Sequence, residues 1–350
     1  MEETKKIRVA INGFGRIGRA FFKIAHQHYP ALEIVAINDL GNIDNLAYLL
    51  EFDTAQGMSH FDIEVSDDKK ILSVDGQEVK VFQKREPQHL PWKELAIDVV
   101  IESTGFFTHY DQAALHLDAG AKHVVISAPG KGNSREGISA GTAIMGVNQD
   151  IIKTCQITSN GSCTTNASAP LIAILNESIG IEKALLNTIH AYTATQSIVD
   201  GPTRGSDFRK GRAGAQNIIP TSTGAAKAVT KALPELAGSF DGVACRVPVV
   251  AGSLADITFL AKRDTSVEEI KEILTKASED PRWQGIFAVS EDPIVSSDII
   301  GTSHASIADL PMIRVVGGNL VKVMAWYDNE MGYTHMLVKH TLKVGEKFMK

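Results

Sequence analysis

The sequence has little cysteine, few aromatic residues and no excess of basic charge. Its 350 residues include three cysteines, Cys155, Cys163 and Cys245, and no closely spaced cluster of cysteine and histidine. This scarcity argues against a disulfide framework and a structural zinc site, so we expect no bound metal and a reducing, cytoplasmic setting. A formal net charge of −6 argues against nucleic acid or anionic lipid as the primary partner.

Long apolar runs are missing as well. No apolar stretch reaches the roughly 18 residues that a membrane-spanning helix requires. The first residues pass from a charged segment directly into a strand pattern, without the apolar stretch and small-residue cleavage site of a secretory signal. We therefore expect a protein without a membrane partner, and the length predicts two domains of ordinary size.

Strand and helix patterns alternate over residues 7–127, which indicates a parallel sheet covered by helices. The pair Asp75-Gly76 separates two alternating runs and predicts an inserted β-hairpin. After residue 163 the strand-like runs become longer, as expected for a mixed or antiparallel sheet, and SVEEIKEILTKASE predicts a helix opened by a serine cap. Residues 195–220 contain four glycines, two prolines and three arginines without periodicity, and so long an irregular segment is usually functional.

A glycine-rich turn follows the first strand pattern. Gly13, Gly15 and Gly18 have the spacing G-x-G-x-x-G and open an amphipathic helix, whose N-terminus offers unpaired N–H groups to a pyrophosphate. The second strand ends at Asp39, where a carboxylate can accept hydrogen bonds from both ribose hydroxyls and repels a 2′-phosphate. The alternative is an ordinary tight turn with Asp39 as a cap. Because the strand, the glycine-rich turn, the helix and the acidic residue follow one another in this order, we favour NAD as the cofactor.

These patterns together predict an α/β protein with two domains. Residues 1–162 are expected to form an NAD-binding Rossmann-type domain, a doubly wound parallel sheet. Residues 163–328 are expected to form a catalytic α+β domain with a mixed or antiparallel sheet.

Cys163 lies in the polar stretch SNGSCTTNASAP. A structural cysteine prefers apolar neighbours, whereas the N-terminus of a following helix would lower the thiol pKa from about 8.5 toward neutrality and bind an oxyanion. Pro170 implies that this helix starts late or bends in its first turns. His190, near the end of the next strand pattern, is the candidate general base. A structural thiol and an ordinary half-buried strand histidine are the alternative.

The sequence closely resembles the phosphorylating glyceraldehyde-3-phosphate dehydrogenases along essentially its whole length. The resemblance rests on motifs in a fixed order, including INGFGRIGR, AIND, ESTGFF, SNGSCTTN, HAYTATQ, NIIPTSTGAAKAV and WYDNEMGY. It implies NAD-dependent conversion of D-glyceraldehyde 3-phosphate and inorganic phosphate to 1,3-bisphosphoglycerate, in glycolysis and gluconeogenesis. Cys163 would carry a hemithioacetal and then a thioester, with His190 as base. An erythrose-4-phosphate dehydrogenase of the same superfamily is the alternative.

The resemblance also implies the binding residues and the assembly. It assigns the cofactor to Gly13, Gly15, Arg16, Ile17, Gly18, Asp39, Arg85, Ser127 and Asn329. It assigns substrate and phosphate to Ser162, Cys163, Thr164, Thr193, Arg209 (or Arg212), Thr223, Gly224 and Arg246. Considered without the resemblance, Thr223 and Gly224 fit a helix cap, Arg246 a structural ion pair and Asn329 a turn. The resemblance further implies that a C-terminal helix, residues 329–350, completes the first domain, and that the chain forms a homotetramer in which the segment 195–220 packs on a neighbouring subunit.

Three departures from the family pattern stand out. Ala167 replaces a common second cysteine, Met331 replaces a frequent tryptophan, and the usual RVPTPNVSVVDL reads RVPVVAGSLADI, a departure within residues 249–256 that keeps Ser253 and Asp256. We expect these departures to affect subunit contacts and substrate preference more than chemistry.

Overall fold

Two β-sheets organise the chain in the computed structural model, which describes residues 5–203 and 205–349. The chain divides into a first unit of residues 1–143, 149–161 and 337–350, and a second unit of residues 144–148 and 162–336. The predicted boundary between residues 162 and 163 separates a cofactor-binding domain from a catalytic domain. The two units given above are defined by compactness alone, so this functional boundary stays a prediction. No helix within the described ranges has the length and apolar character needed to cross a membrane.

The first unit contains a nine-stranded sheet in the order β3-β4-β5-β2-β1-β6-β7-β9-β8. Its strands are β1 Ile7–Asn12, β2 Leu32–Asn38, β3 Ile63–Val65, β4 Ile71–Val74, β5 Gln77–Phe82, β6 Val99–Glu102, β7 His123–Ile126, β8 Ala140–Thr142 and β9 Ile157–Ser159. From β5 to β8 every neighbouring pair is parallel. This confirms the predicted parallel sheet.

Four helices of this unit connect the strands: α1 Arg16–His28, α2 Ile43–Glu51, α3 Tyr110–Ala113 and α4 Leu115–Asp118. Helix α1 forms because its apolar residues recur on one face, and Phe21, Ile24 and Ala25 are buried there. Strand β1 is buried at five of its six residues, as expected for a central strand covered on both sides.

The predicted hairpin is confirmed as β4 and β5, which pair antiparallel. Asp75 and Gly76 both adopt positive φ, 50° and 78°, which a type I′ turn requires at its two central residues. The hairpin therefore adds antiparallel strands to one edge of a parallel sheet.

The second unit contains an eight-stranded sheet in the order β11-β12-β10-β13-β17-β15-β14, with β16 also paired to β17. Its strands are β10 Ile181–Ala191, β11 Ile219–Ser222, β12 Phe240–Val247, β13 Ser253–Ala261, β14 Phe287–Ser290, β15 Ser306–Asp309, β16 Arg314–Val316 and β17 Leu320–Tyr327. Pairs β10/β12 and β14/β15 are parallel and the others antiparallel. The sheet is mixed, as predicted.

Helices α5 Cys163–Ser178, α6 Ala225–Ala232 and α7 Val267–Glu279 belong to this unit, and α8 Met331–Gly345 begins in it and ends in the first. Of the two expectations from Pro170, a late start of α5 is wrong, since the helix already begins at Cys163, and a bend in its first turns stays a prediction. Burial of all residues from Thr164 to Leu175 outweighs the backbone hydrogen bond that proline cannot make. The predicted serine cap of α7 is confirmed: Ser266 Oγ accepts from the N–H of Glu269 at 3.1 Å.

The segment 195–220 makes more internal contacts than its composition suggests. The N–H of Gly201 donates to Gly211 O at 2.8 Å, and Arg212 pairs with Asp200 at 2.8 Å. Its large apolar side chains nevertheless remain in solvent: Ile198, Val199, Phe208 and Ile218 are 71–87% exposed. Polar contacts therefore order the described part of the segment while its apolar surface is left uncovered.

Candidate active site

The first residue of α5 is Cys163, and Ser162 caps this helix by accepting a hydrogen bond from the N–H of Thr165 at 3.1 Å. The cap fixes where the helix begins and leaves the thiol beside the N–H groups of the first turn. These groups and the partial positive charge of the helix N-terminus favour negative charge at this position. The local sequence thus places a nucleophile where an oxyanion can also be bound.

His190 contacts this thiol from the end of β10. Its Nε2 atom lies 3.3 Å from Cys163 Sγ, and the histidine is only 4% exposed. The parallel register of β10 and β12 sets His190 opposite Arg246. Three side chains distant in the sequence are therefore brought together by one helix and two neighbouring strands.

The second ring nitrogen of His190 has two competing neighbours. Nδ1 lies 2.7 Å from Ala191 O and 2.6 Å from Arg246 Nη1, which itself donates to Ala191 O at 2.9 Å. A neutral imidazole has one N–H, so Nδ1 can serve only one of these neighbours at a time. When Nδ1–H donates to Ala191 O, Nε2 is left with a lone pair facing the thiol, as a general base requires.

Burial is the largest cause of the pKa shifts of both His190 and Cys163. Burial, and then the charge of Arg246, lowers the pKa of His190 to about 3, so the imidazole is neutral near pH 7. Residue 163 is only half-buried, but desolvation still raises the pKa of its thiol, while Arg246 and the N–H of Thr164 act in the opposite direction. The expectation of a lowered thiol pKa is wrong, because Arg246 and the hydrogen bonds of the first turn do not outweigh desolvation.

Tyr327 supports this pair from β17 and was missed in the sequence. Its hydroxyl lies 2.8 Å from Thr164 Oγ1 and 2.7 Å from Thr188 Oγ1, and its ring meets the His190 ring edge to face, with centroids 5.9 Å apart. Desolvation strongly raises the pKa of Tyr327, so the hydroxyl stays protonated. The aromatic residue in the WYDNE motif was the available signal, but its partners lie more than 130 residues away.

The remaining residues predicted to bind substrate or phosphate lie at several different places in the second unit. Thr193 Oγ1 lies 2.8 Å from Thr195 Oγ1 near the end of β10, and Gly224 precedes the N-terminus of α6, where Thr223 Oγ1 accepts from the N–H of Ala225. The Thr164 side chain faces Tyr327 and is buried. Arg209 pairs with Asp207 at 2.9 Å and Arg212 with Asp200, so the described contacts bring neither to the thiol.

The first unit presents a separate cleft at the carboxyl ends of β1, β2 and β6. Gly13 adopts φ +94°, and a Cβ there would lie 2.6 Å from Thr104 N; a Cβ on Gly18 would lie 2.2 Å from Gly13 O. Both positions therefore require glycine for close backbone approach. A Cβ on Gly15 would meet no atom within 4 Å, which leaves open space at the N-terminus of α1 for a phosphate group.

The cleft has a volume of about 550 Å³ and is lined by Gly13, Gly15, Asp39, Arg85 and neighbouring residues. Asp39 is held by the N–H of Phe14 at 2.7 Å and of Gly41 at 2.8 Å. Arg16 pairs with Asp53 at 3.1 Å at the start of α1, and Ile17 is half-buried in the same turn. Ser127 follows β7, where its N–H donates to Glu102 O, and it does not line the cleft.

The floor of the cleft contains polar residues that the sequence analysis did not identify. Asn12 and Asn38 end β1 and β2 and are bonded to each other at 2.7 Å. Behind them Glu102 accepts from Asn12 Nδ2 at 2.6 Å and contacts His116 Nε2 at 3.0 Å, and Trp92 Nε1 donates to His116 Nδ1. The signal was their place at the carboxyl ends of parallel strands, where dinucleotides bind. Cleft, glycines and Asp39 together fit a dinucleotide without a 2′-phosphate.

Asn329 lies in the second unit, just beyond β17, and is 7% exposed. Its Oδ1 atom accepts from the N–H of Gly252 at 3.1 Å and from Ser253 Oγ at 2.9 Å. The turn interpretation of Asn329 is therefore incomplete, because the side chain is fixed by two donors from the segment preceding and opening β13.

Two family models match separate parts of the chain. Residues 7–110 match the family model of the glyceraldehyde 3-phosphate dehydrogenase NAD binding domain, and residues 162–329 match that of the C-terminal domain. The chain belongs to the glyceraldehyde 3-phosphate dehydrogenase family. The predicted family, the α/β fold class and the NAD cofactor are thereby confirmed.

Curated members of the glyceraldehyde 3-phosphate dehydrogenase family match over nearly the whole chain. The enzyme from Clostridium pasteurianum is 46% identical over 98% of this chain and 99% of its own length, and that from Borreliella burgdorferi is 48% identical over 95% and 98%. A eukaryotic relative, from Kluyveromyces marxianus, is 47% identical over 95% and 97%. The prediction of an NAD-dependent dehydrogenase is confirmed.

Proposed function

We propose that this chain oxidises D-glyceraldehyde 3-phosphate and phosphorylates the product to 1,3-bisphosphoglycerate. The observation that carries the proposal is the 3.3 Å contact of Cys163 Sγ with His190 Nε2 at a helix N-terminus. The relatives cited above are named glyceraldehyde-3-phosphate dehydrogenase, which favours the triose over erythrose 4-phosphate. A cytoplasmic setting belongs to the proposal, with neither membrane nor nucleic acid as a primary partner.

The reaction begins with proton transfer from Cys163 Sγ to His190 Nε2. The thiolate adds to the aldehyde carbon, the N–H groups at the start of α5 stabilise the developing oxyanion, and the proton returns from Nε2 to give a hemithioacetal. His190, neutral again, then removes the hydroxyl proton as the hydride leaves. Bound NAD supplies the acceptor for this hydride. The product on Cys163 is a thioester, which retains the energy of the oxidation.

Inorganic phosphate then attacks the thioester carbonyl, and Cys163 leaves as thiolate. We assign Arg246 and Thr193 to the phosphate of the substrate, and Ser162, Thr164, Thr223 and Gly224 to the attacking phosphate, with Arg209 as a further candidate. The guanidinium beside His190 and the N-terminus of α6 support these roles, since both favour anions. The pairing of Arg209 with Asp207 would have to open for Arg209 to take part.

We also propose a homotetramer. The segment 195–220 leaves four large apolar side chains in solvent, and covering them with a neighbouring subunit would remove apolar surface from water. Analytical ultracentrifugation at assay concentration is expected to show a tetramer whose dissociation weakens NAD binding and turnover. A fully active monomer would contradict this assignment.

The activity is tested by following NADH formation with the aldehyde, NAD and phosphate each omitted in turn, and with erythrose 4-phosphate as a competing substrate. Cys163→Ser is expected to abolish turnover and keep NAD binding, since a serine hydroxyl is hardly ionised near neutral pH. Cys245→Ser is the matched control and should retain activity. Inactivation by iodoacetamide that follows labelling of Cys155 or Cys245 would contradict the choice of nucleophile.

A further inference from the structure

Gly252 and Ser253, within the segment 249–256, lie directly against Asn329. Gly252 N–H and Ser253 Oγ are 3.1 Å and 2.9 Å from Asn329 Oδ1, and Ser253 is 1% exposed. Gly252 adopts φ +86°, and a Cβ there would lie 2.2 Å from Ser296 O. The backbone that presents the first donor therefore depends on glycine, and the second donor is a fully buried hydroxyl.

The direction of the hydrogen bonds fixes the Asn329 amide. The N–H of Ala191 donates to Ser253 Oγ at 3.1 Å, so this hydroxyl already acts as an acceptor and directs its own hydrogen to Asn329 Oδ1. With two donors on Oδ1, rotation of the amide by 180° would set N–H groups against N–H and O–H groups. The carbonyl side is thus committed to Gly252 and Ser253, and Nδ2 is directed away from them.

We propose that Ser253 is a positioning residue for the cofactor, which holds the Asn329 amide so that only its Nδ2–H groups are offered to NAD. An N–H donor recognises the carbonyl oxygen of a carboxamide and not its NH2 group. The inference rests on the proposed role of Asn329 as the residue that binds the nicotinamide carboxamide. Through Ala191, the same serine connects Asn329 to the strand end that carries His190.

The first test measures NAD binding directly, by isothermal titration without aldehyde or phosphate. Ser253→Ala leaves Oδ1 with one donor and Ala191 N–H without its acceptor, and we expect the Kd for NAD to rise about tenfold. Ser306→Ala is the matched control, because it removes a fully buried serine hydroxyl that has no hydrogen-bond partner among the described residues. A rise of less than about threefold, or an equal rise in the control, would overturn the proposal; any larger rise confined to Ser253→Ala supports it.

The second test needs no variant and so remains informative if Ser253→Ala does not fold. A dinucleotide with an acetyl group in place of the carboxamide keeps the carbonyl oxygen but lacks the NH2 group. If Asn329 donates through Nδ2, the wild-type chain should bind this analogue within about fivefold of NAD. A greater loss would show that Asn329 accepts from the NH2 group and would overturn the assigned orientation.

These measurements separate this inference from the proposed function. Binding results as expected, together with no NADH formed from glyceraldehyde 3-phosphate and phosphate, would leave the role of Ser253 intact and refute the activity. Normal turnover by the wild type, together with an unchanged NAD affinity in Ser253→Ala, would refute the role of Ser253 and leave the proposed activity intact.

Discussion

Unfolding of this chain near pH 5 is expected to take up protons at three buried histidines. Burial is the largest cause that lowers the pKa of each: to about 3 for His190 and His340, and well below the ordinary value for His123. His340 is fully buried and contacts Thr158 Oγ1 at 2.8 Å and Asn160 Oδ1 at 3.1 Å. These groups are neutral in the folded chain at pH values where an unfolded histidine is charged.

The sign of the effect follows from the direction of the pKa shifts. Between about pH 6.5 and pH 3 the unfolded state binds more protons, so stability rises with pH in this window and is lost on acidification. His190 and His340, with a folded-state pKa of about 3, each contribute a slope of up to about 1.4 kcal/mol per pH unit, or about 3 kcal/mol between pH 7.5 and pH 4.5, and His123 acts in the same direction. Three of them make mild acid strongly destabilising.

The assay counts protons directly, with a pH electrode during urea unfolding in weakly buffered solution at pH 5. His340→Gln keeps a side chain that can form hydrogen bonds but cannot titrate, so uptake should fall by about one proton relative to the wild type. Gln27→Ala changes an exposed side chain of α1 that cannot titrate and should leave the uptake unchanged. Equal uptake by His340→Gln and the wild type would mean that His340 is already charged in the folded chain, and the reasoning would fail.

Two further predictions concern the two sites. The wild-type chain should prefer NAD to NADP by about tenfold in kcat/KM, about 1.4 kcal/mol, because the Asp39 carboxylate repels a 2′-phosphate. Asp39→Asn should reduce this ratio, and equal efficiencies in the wild type would contradict this role of Asp39. Tyr327→Phe removes the hydroxyl that bridges Thr164 and Thr188 and should cost about 1 to 3 kcal/mol in urea unfolding. It should also slow alkylation of Cys163 and leave the Kd for NAD unchanged; an alkylation rate equal to that of the wild type would exclude a supporting role for Tyr327.

The features that could be predicted are those whose cause is local in sequence. The hairpin at Asp75-Gly76 and the serine cap at Ser266 depend on neighbouring residues, and each is present as expected. The glycine-rich turn is equally local, since Gly13 and Gly18 are constrained by backbone atoms of their own unit.

The features that could not be predicted depend on residues far apart in the chain. Tyr327 reaches Thr164 across 163 positions, and Ser253 reaches Asn329 across 76. The thiol pKa shows why this matters: the polar stretch around Cys163 and a following helix are visible in the sequence, but the desolvation that raises the thiol pKa arises from packing. The start of α5 has the same limit, because the burial that offsets Pro170 could not be read from the proline itself.

The conformation of Gly252 also limits how this chain can diverge. The usual family segment has valine at this position, but a Cβ here would overlap Ser296 O, and a positive φ is strained for any branched side chain. Replacing Gly252 alone by valine would therefore destabilise the fold unless the backbone at Ser296 also moves. We expect the effect of a substitution in residues 249–256 to depend on which residues stand in the loop at residue 296, so that the two stretches change together in evolution. An engineer who grafts the common segment into this chain would need to replace both stretches together.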